Sequence, residues 1–111
     1  MKKLIIIKIG GAAIQQLTTA FFHQLQTWHL QGYRILIVHG GGPMISQLMT
    51  RLQLPVKKMN GLRVTDDQTL ALTKLVLLGE AQPALLTQLA QHHLPVIGLN
   101  AADNQLLVGD Y

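Results

Sequence analysis

Two short stretches decide the fold: LIIIKIGG at residues 4–11 and RILIVHGGGP at residues 34–43. Each begins as a nearly continuous aliphatic run and ends in glycines, which is typical of a buried parallel strand that leads into a loop. Between them, residues 18–31 carry apolar side chains at helical spacing, with threonine at the start and Gly32 at the end. A strand, a helix and a second strand in this order predict a parallel pair of strands.

The middle of the chain predicts a helix and a small hairpin. Pro43 suits the first turn of a helix, which has one apolar face and ends before Pro55. Asn60 and Gly61 then form a two-residue turn signal between short candidate strands. We therefore expect a β-hairpin within residues 56–64.

The last third of the chain predicts two helices and more of the sheet. Residues 65–68 (TDDQ) have capping-box spacing and open a helix that we expect to end at Gly79. Leucines surround much of that helix, which indicates burial on more than one side, in the interior or at a subunit interface. A further helix is expected from Pro83, then a third buried strand at residues 95–99 and the start of a fourth at 105–108. The expected fold is an α/β three-layer sandwich with a mainly parallel sheet.

Composition excludes several classes of protein. With 49% hydrophobic and only 13% charged residues in 111, the chain is not disordered and has the size of one domain. It contains no cysteine, which excludes a disulfide scaffold and a cysteine-ligated zinc site. No apolar run reaches membrane-spanning length, and we expect a cytoplasmic protein. Lysines and arginines are scattered and aromatic residues make up 5%, so the net charge of +4 favours anionic small molecules over nucleic acid.

The two glycine-rich loops carry the clearest chemical signal. Both follow strands, and ligands of open α/β sheets bind at the carboxyl ends of the strands. Gly40, Gly41 and Gly42 expose backbone N–H groups at the start of a helix, which suits a phosphate or a developing oxyanion. The sequence has neither GxGxxG nor GxxxxGK[ST], so the dinucleotide fingerprint and the P-loop are both absent.

Three charged or titratable residues are candidates, each with a plainer interpretation. Lys8 beside two glycines is placed to neutralise phosphate oxygens, or else its amine reaches solvent past the strand end. Arg63 offers a fork for a carboxylate, or is a surface arginine. His39 is a ligand contact, or a hydrogen-bonded histidine at a strand end. His23 and His29 are too scattered for a metal site, and His92-His93 suits capping at a helix C-terminus, so we expect no metal.

Several segments together resemble a known family. IIIKIGG, VHGGGP and NGLRVTD occur in this order and are followed by VIGLN. This set is similar to the N-terminal part of the acetylglutamate kinases within the amino-acid kinase family, and the resemblance covers essentially the whole chain. The glycine motifs are shared across the wider family, whereas NGLRVTD is the segment that points to acetylglutamate kinases.

The resemblance implies an activity and roles for particular residues. The activity is phosphorylation of the side-chain carboxylate of N-acetyl-L-glutamate by ATP with Mg²⁺, in arginine biosynthesis. Lys8 would stabilise the transferring phosphoryl group, and Arg63 would bind the α-carboxylate of the substrate. The implied glycine contacts are Gly41 and Gly42 for the substrate, and Gly10, Gly11 and Gly40 for phosphate.

Two departures and the length define what we expect of this chain. Ala12-Ala13 and the segment at residues 100–104 differ from the usual family pattern. Family members also have a second half that binds ATP, so we expect residues 1–111 to be the acetylglutamate-binding lobe only, inactive alone and dimeric. The alternatives are another kinase of the family, such as a carbamate or glutamate 5-kinase, and a regulatory module that binds an anion or amino acid without catalysis.

Overall fold

The computed structural model describes residues 3–55, 58–60, 62–63, 66–100 and 103–105. Strands and helices alternate along the described chain, in agreement with the α/β class expected from the sequence. In chain order the elements are β1 (Leu4–Ile9), a 3₁₀ helix (Gly11–Gln16), α1 (Thr19–Leu30), β2 (Arg34–His39), α2 (Gly42–Arg51), β3 (Lys58–Met59), β4 (Leu62–Arg63), α3 (Asp67–Val76), a π-helical turn (Leu77–Ala81), α4 (Gln82–Gln91) and a second 3₁₀ helix (Asp103–Gln105).

Strands β1 and β2 form a parallel pair. Their register runs from Leu4 opposite Arg34 to Ile9 opposite His39. One further hydrogen bond extends the ladder at the carboxyl end, where the Gly40 N–H donates to Ile9 O over 3.1 Å. The expected strand–helix–strand unit is therefore confirmed, and both strands end at the same edge.

Only one face of this pair is buried in the described structure. Residues of β1 alternate, and Ile7 and Ile9 belong to the hydrophobic core while Leu4 and Ile6 are 55% and 63% exposed. The prediction of strands buried on both faces is wrong here, because the core lies on one side of the pair. The uncovered face carries four aliphatic side chains, which are those of Leu4, Ile6, Leu36 and Val38.

The ends of α1 are set by its sequence. The Thr18 side chain caps the first turn by accepting the Phe21 N–H over 3.2 Å. At the other end Gly32 has a φ of 86°, and the Tyr33 N–H donates to Trp28 O as in a Schellman motif. Both predicted signals, the threonine cap and the glycine stop, are confirmed.

Side-chain contacts join α4 and the residue after it, His92, to the first part of the chain. The Phe22 and His92 rings stack with centroids 3.9 Å apart, and the Gln26 side chain donates to His92 O over 2.7 Å. The Gln88 amide donates to Ile14 O over 2.9 Å, which ties α4 to the first 3₁₀ helix. The 3₁₀ helix and α1 are thereby both fixed to α4.

Helices α3 and α4 form one continuous helix, so the expected stop at Gly79 is wrong. Pro83 lacks an N–H and its ring conflicts with a regular preceding turn. A π turn lies directly before this proline, and its wider hydrogen bond runs from the Gln82 N–H to Leu77 O. The helix cap is also one residue later than predicted, because Asp66 accepts the Thr69 N–H over 2.8 Å.

The combined helix Asp67–Gln91 has 25 residues and is apolar enough to span a membrane by length and composition alone. Its buried residues instead join side chains from β1, α1 and α2 in the hydrophobic core; in this helix they include Val76, Ala81, Leu85 and Leu89. The buried share of its most apolar 18-residue window is 22%, so only one side of this helix is covered in the described structure.

The third strand expected at residues 95–99 is not formed: residues 94–100 have no regular secondary structure. Instead the Gln82 side chain donates to Leu99 O over 3.2 Å, and Ile97 is 81% exposed. A helix side chain thus takes the place of a strand ladder in binding this segment. Of the possible fourth strand, Gln105 ends a 3₁₀ helix, and the remaining residues lie outside the described ranges.

The predicted hairpin is confirmed. In the antiparallel pair, Lys58 lies opposite Arg63 and Met59 opposite Leu62. Asn60 at the turn has a φ of 52°, the left-handed conformation that a two-residue hairpin turn requires.

Candidate functional site

The two glycine loops meet at the carboxyl ends of β1 and β2. A β-carbon built on Gly11 would lie 2.6 Å from the Gly41 α-carbon and 2.8 Å from the Gly42 nitrogen. These distances leave no room for any side chain at position 11. The parallel register explains the meeting, because it brings both strand ends to one edge of the sheet.

Lys8 contributes a positive charge to the same place. A β-carbon on Gly40 would lie 3.6 Å from Lys8 Nζ and 3.6 Å from the Gly11 nitrogen. The side chain of Lys8 is exposed, so the sequence argument from the cost of a buried lysine does not hold. What supports a role for Lys8 is instead the position of its amine beside both glycine loops.

Helix α2 begins at the second loop. Its first helical hydrogen bond runs from the Ile45 N–H to Gly41 O over 2.9 Å, and Pro43 lies in its first turn. The N-terminus of a ten-residue helix carries partial positive charge. The Gly40 N–H is already donated to Ile9, so of the three glycines this one gives its amide to the sheet.

Gly10 differs from Gly11 in its surroundings. A β-carbon on Gly10 would meet nothing within 4 Å, and its backbone has an extended conformation with φ of −63°. Its carbonyl accepts the Ala13 N–H over 2.9 Å at the start of the 3₁₀ helix. The two glycines therefore have different roles. Gly11 permits close contact between the loops, and Gly10 connects the strand to the 3₁₀ helix.

The inner side of the second loop is packed against the π turn, a contact that sequence reasoning missed. The atoms nearest a β-carbon on Gly41 belong to Leu77, Ala81 and Val76. These residues are apolar and carry no chemical motif, so their sequence signal is that of any core helix. Only the three-dimensional packing identifies them as neighbours of the site.

His39 has the plainer of its two interpretations. Its Nδ1 lies 3.1 Å from Gly40 O, a distance at which the tautomer protonated on Nδ1 donates to that carbonyl. The ring is thus hydrogen-bonded at the strand end. Across the described ranges, His, Asp and Glu side chains form no group of three that could hold a metal ion.

Arg63 lies in β4 of the hairpin, opposite Lys58. Its backbone position is described, whereas its side chain lies outside what the structure describes. Binding of a substrate carboxylate by Arg63 therefore stays a prediction from the sequence. The site that the structure itself assembles consists of Lys8 and the two glycine loops.

Comparison with known sequences agrees with the motifs. A profile described as "Amino acid kinase family" matches residues 3–110. A curated relative from Lactiplantibacillus plantarum, named acetylglutamate kinase, is 71% identical over 110 residues, which are 99% of this chain and 44% of the relative. One from Leuconostoc citreum with the same name is 52% identical over 109 residues and is likewise covered to 44%. The chain thus spans less than half the length of the curated relatives it matches.

Two solved structures are similar to this chain. A crystal structure of smu.665 from Streptococcus mutans UA159 has a TM-score of 0.83 at 42% identity, over 88% of this chain and 40% of that one. N-acetylglutamate synthase from Neisseria gonorrhoeae, complexed with coenzyme A and N-acetyl-glutamate, has a TM-score of 0.61 at 18% identity, over 86% of this chain and 22% of that one. The second likeness concerns the fold alone.

Proposed function

The chain belongs to the amino acid kinase family, and on this premise we propose that it is the substrate-binding lobe of an acetylglutamate kinase. The reaction would be transfer of the γ-phosphoryl group of ATP to the side-chain carboxylate of N-acetyl-L-glutamate, a step of arginine biosynthesis. The observation that carries the proposal is the position of Lys8 Nζ beside Gly40, where the two glycine loops meet. The names of the relatives support the choice of substrate.

The proposed chemistry is a phosphoryl transfer that this geometry supports. A carboxylate oxygen attacks the γ-phosphorus while the bond to the bridging oxygen of ADP breaks, and that oxygen keeps the electron pair. Negative charge then spreads over the phosphoryl oxygens, and fixed positive groups around them lower the barrier. Lys8 would supply the full charge, and the N-terminus of α2 would supply partial charge. Acetylglutamyl phosphate and ADP are the products.

Magnesium accompanies ATP in kinases of this type. Within the part of the chain that the structure describes, no acidic or histidine cluster suits that ion. Accordingly, no step proposed here uses a metal ligand of this chain. The groups that do fit a phosphate are the Lys8 amine and the N-terminus of α2.

We further propose that this lobe does not catalyse turnover alone. The chain covers 44% of its kinase relatives, and one lysine with one helix N-terminus surrounds only part of a triphosphate. This lobe would therefore bind N-acetyl-L-glutamate, and the remaining part of the longer relatives would bind ATP. We place the protein in the cytoplasm, where its small-molecule substrates would be found.

Calorimetric titration of the chain with N-acetyl-L-glutamate tests the substrate assignment. We expect binding that Arg63→Ala weakens at least about tenfold, since a bidentate carboxylate contact is lost. Arg51→Ala is the matched control, because Arg51 is an exposed arginine at the end of α2. Binding of glutamate or carbamate in preference to the acetylated compound would instead assign the chain to another kinase of the family.

Complementation tests the catalytic assignment. The chain is combined with the part of the Lactiplantibacillus plantarum relative that follows the matched region, and ADP formation is measured with N-acetyl-L-glutamate present. We expect activity with the unchanged chain and with Lys8→Ala a loss of at least about a hundredfold; Lys3→Ala, which removes another exposed lysine, is the control. Turnover by the chain alone would refute the lobe proposal. Substrate binding without turnover in the mixture would favour a regulatory module.

We also propose that two copies associate through α3. The exposed side of α3 and of the π turn forms an open groove lined by Asp67, Leu70, Ala71, Lys74, Leu75, Leu78 and Gly79. Asp67 and Lys74 lie seven residues apart, two turns along one stripe. A second copy in antiparallel orientation would bring Asp67 of each copy opposite Lys74 of the other, with leucines between them.

Charge exchange tests this interface. We expect Lys74→Asp to weaken the dimer, since two carboxylates would then face each other, and Asp67→Lys combined with Lys74→Asp to restore it. Sedimentation equilibrium measures both effects. If the double exchange leaves the dimer as weak as the single one, the antiparallel arrangement is wrong. A chain that is monomeric at all concentrations would contradict the dimer itself.

A further inference from the structure

The junction of α3 and α4 contacts the second glycine loop at Gly41. Residues 77–81 form a single π-helical turn, closed by the hydrogen bond from the Gln82 N–H to Leu77 O. Such turns are rare within helices and occur frequently at functional sites. The packing around Gly41 indicates what this one does.

Gly41 is enclosed by the buried side of the turn. A β-carbon on Gly41 would lie 2.9 Å from Leu77 Cδ2, 3.3 Å from Ala81 Cβ and 3.7 Å from Val76 Cγ1. Ala81 is 0% exposed and Val76 is 2% exposed, so neither has space to move outward. Hence the α-carbon of Gly41 is in contact with the turn, and a larger residue at position 81 would displace it.

The loop also contacts Gly11, where a β-carbon would clash with the Gly41 backbone. The loop therefore contacts both the end of β1 and the π turn. Because Gly41 O accepts the first hydrogen bond of α2 from the Ile45 N–H, a shift of Gly41 would also shift the N-terminus of that helix. The position of the π turn is thus coupled to the position of the α2 N-terminus at the site.

We propose that the π turn is a positioning element for the site, with Leu77 and Ala81 as positioning residues that act through Gly41. This inference rests on the proposed function for the identity of the ligand, whereas the position of the loop is independent of it. Gly79, in the middle of the turn, has no part in this role, because a β-carbon there would meet nothing within 4 Å.

The first test compares Ala81→Val with Ala90→Val in the complete chain. Ala90 is exposed on α4, so its variant has the same cost of β-branching in a helix without contact to the loop. We expect Ala81→Val to move the amide resonances of Gly40, Gly41 and Gly42 and to weaken N-acetyl-L-glutamate binding about tenfold. Ala90→Val should leave both as they are. Unmoved glycine resonances in a folded Ala81→Val chain would overturn the proposal.

The second test is a rescue, which a general loss of stability would not produce. Gly41→Ala places a methyl group against Leu77 and should weaken binding about tenfold. Combining it with Leu77→Ala removes the nearest atoms and should restore a large part of the affinity and return the resonances of Gly40 and Gly42 toward their original positions. Additive losses in the double variant would contradict positioning through Gly41, and this comparison decides the matter if Ala81→Val does not fold.

The two proposals fail in different ways. If the unchanged chain binds no N-acetyl-L-glutamate, the proposed function is wrong for this chain, while the glycine resonances still report on the turn. If the chain binds the substrate and Ala81→Val changes neither affinity nor resonances, the proposed function stands and the role of the turn is refuted.

Discussion

Gly11 lies against Gly41 so closely that a β-carbon on the first would be 2.6 Å from the α-carbon of the second. In the chain, these two residues are separated by the rest of the first 3₁₀ helix, α1 and β2. Their contact is what joins the loop after β1 to the N-terminus of α2, and it brings the amine of Lys8 to the same place.

The first prediction concerns this contact. Gly11→Ala should lower the free energy of unfolding by about 2 kcal/mol, because the loops must separate to admit a methyl group. Gly10→Ala is the matched comparison, since its β-carbon meets no atom within 4 Å and its φ of −63° suits alanine. We expect Gly10→Ala to raise the free energy of unfolding by about 0.5 kcal/mol, because alanine lowers the conformational entropy of the unfolded chain. Urea denaturation of both variants measures these free energies. Equal changes in the two variants would contradict close contact between Gly11 and Gly41.

The second prediction concerns the start of α3. Asp66→Ala should cost about 1 kcal/mol, because the Thr69 N–H loses the carboxylate that accepts it over 2.8 Å. Asp66→Asn keeps an acceptor oxygen and should cost less than half as much. Thermal unfolding followed by circular dichroism measures the difference, and an asparagine variant as unstable as the alanine variant would show that the cap bond is not what Asp66 contributes.

The third prediction concerns the link between α4 and the first 3₁₀ helix. Gln88→Ala should destabilise the chain by about 1 kcal/mol, since the Ile14 carbonyl loses its 2.9 Å hydrogen bond. Gln91→Ala, on an exposed position of the same helix, is the control and should have little effect. Hydrogen exchange of the Ala13 amide offers a local readout, and protection unchanged in Gln88→Ala would argue against the link.

The fourth prediction concerns the uncovered face of β1 and β2. Ile6 and Leu36 lie opposite each other in the register and are 63% and 44% exposed. An apolar face of this kind promotes association. Replacing both with threonine should reduce large associated species in light scattering at little cost in stability. Ile37→Thr, on the face that packs against the core, should instead destabilise by about 2 kcal/mol. Unchanged scattering by the double threonine variant would exclude this face as the cause.

Local signals in the sequence were sufficient for the first half of the fold. The Thr18 cap, the Gly32 stop and the turn at Asn60 each act through the backbone of a few neighbouring residues, and each was predicted correctly. The meeting of the glycine loops also followed from sequence, because parallel strands fix which ends share an edge.

What could not be predicted depends on distant packing. An aliphatic run such as that of β1 has the same pattern whether one face of the strand or both are covered. The exposure of Ile6 therefore could not be predicted from the sequence. Local signals predict a helix stop at Gly79, whereas the wider π turn before Pro83 keeps the helix continuous. The contacts of Gly41 with Leu77 and Ala81 connect positions that are far apart in the sequence. The side chains involved are apolar and belong to no motif, so the sequence does not predict these contacts.

The open side of the π turn offers a practical opportunity. The sequence contains no cysteine, and Gly79 has no neighbour that a β-carbon would touch. Gly79→Cys would therefore give a uniquely labelled chain, with a fluorophore or spin label on the turn that packs against Gly41. Gly79 also lines the groove of α3. A single probe at this position would therefore respond both to ligand binding at the glycine loops and to the approach of a second copy. Distances between the labels of two copies would distinguish these two events in solution.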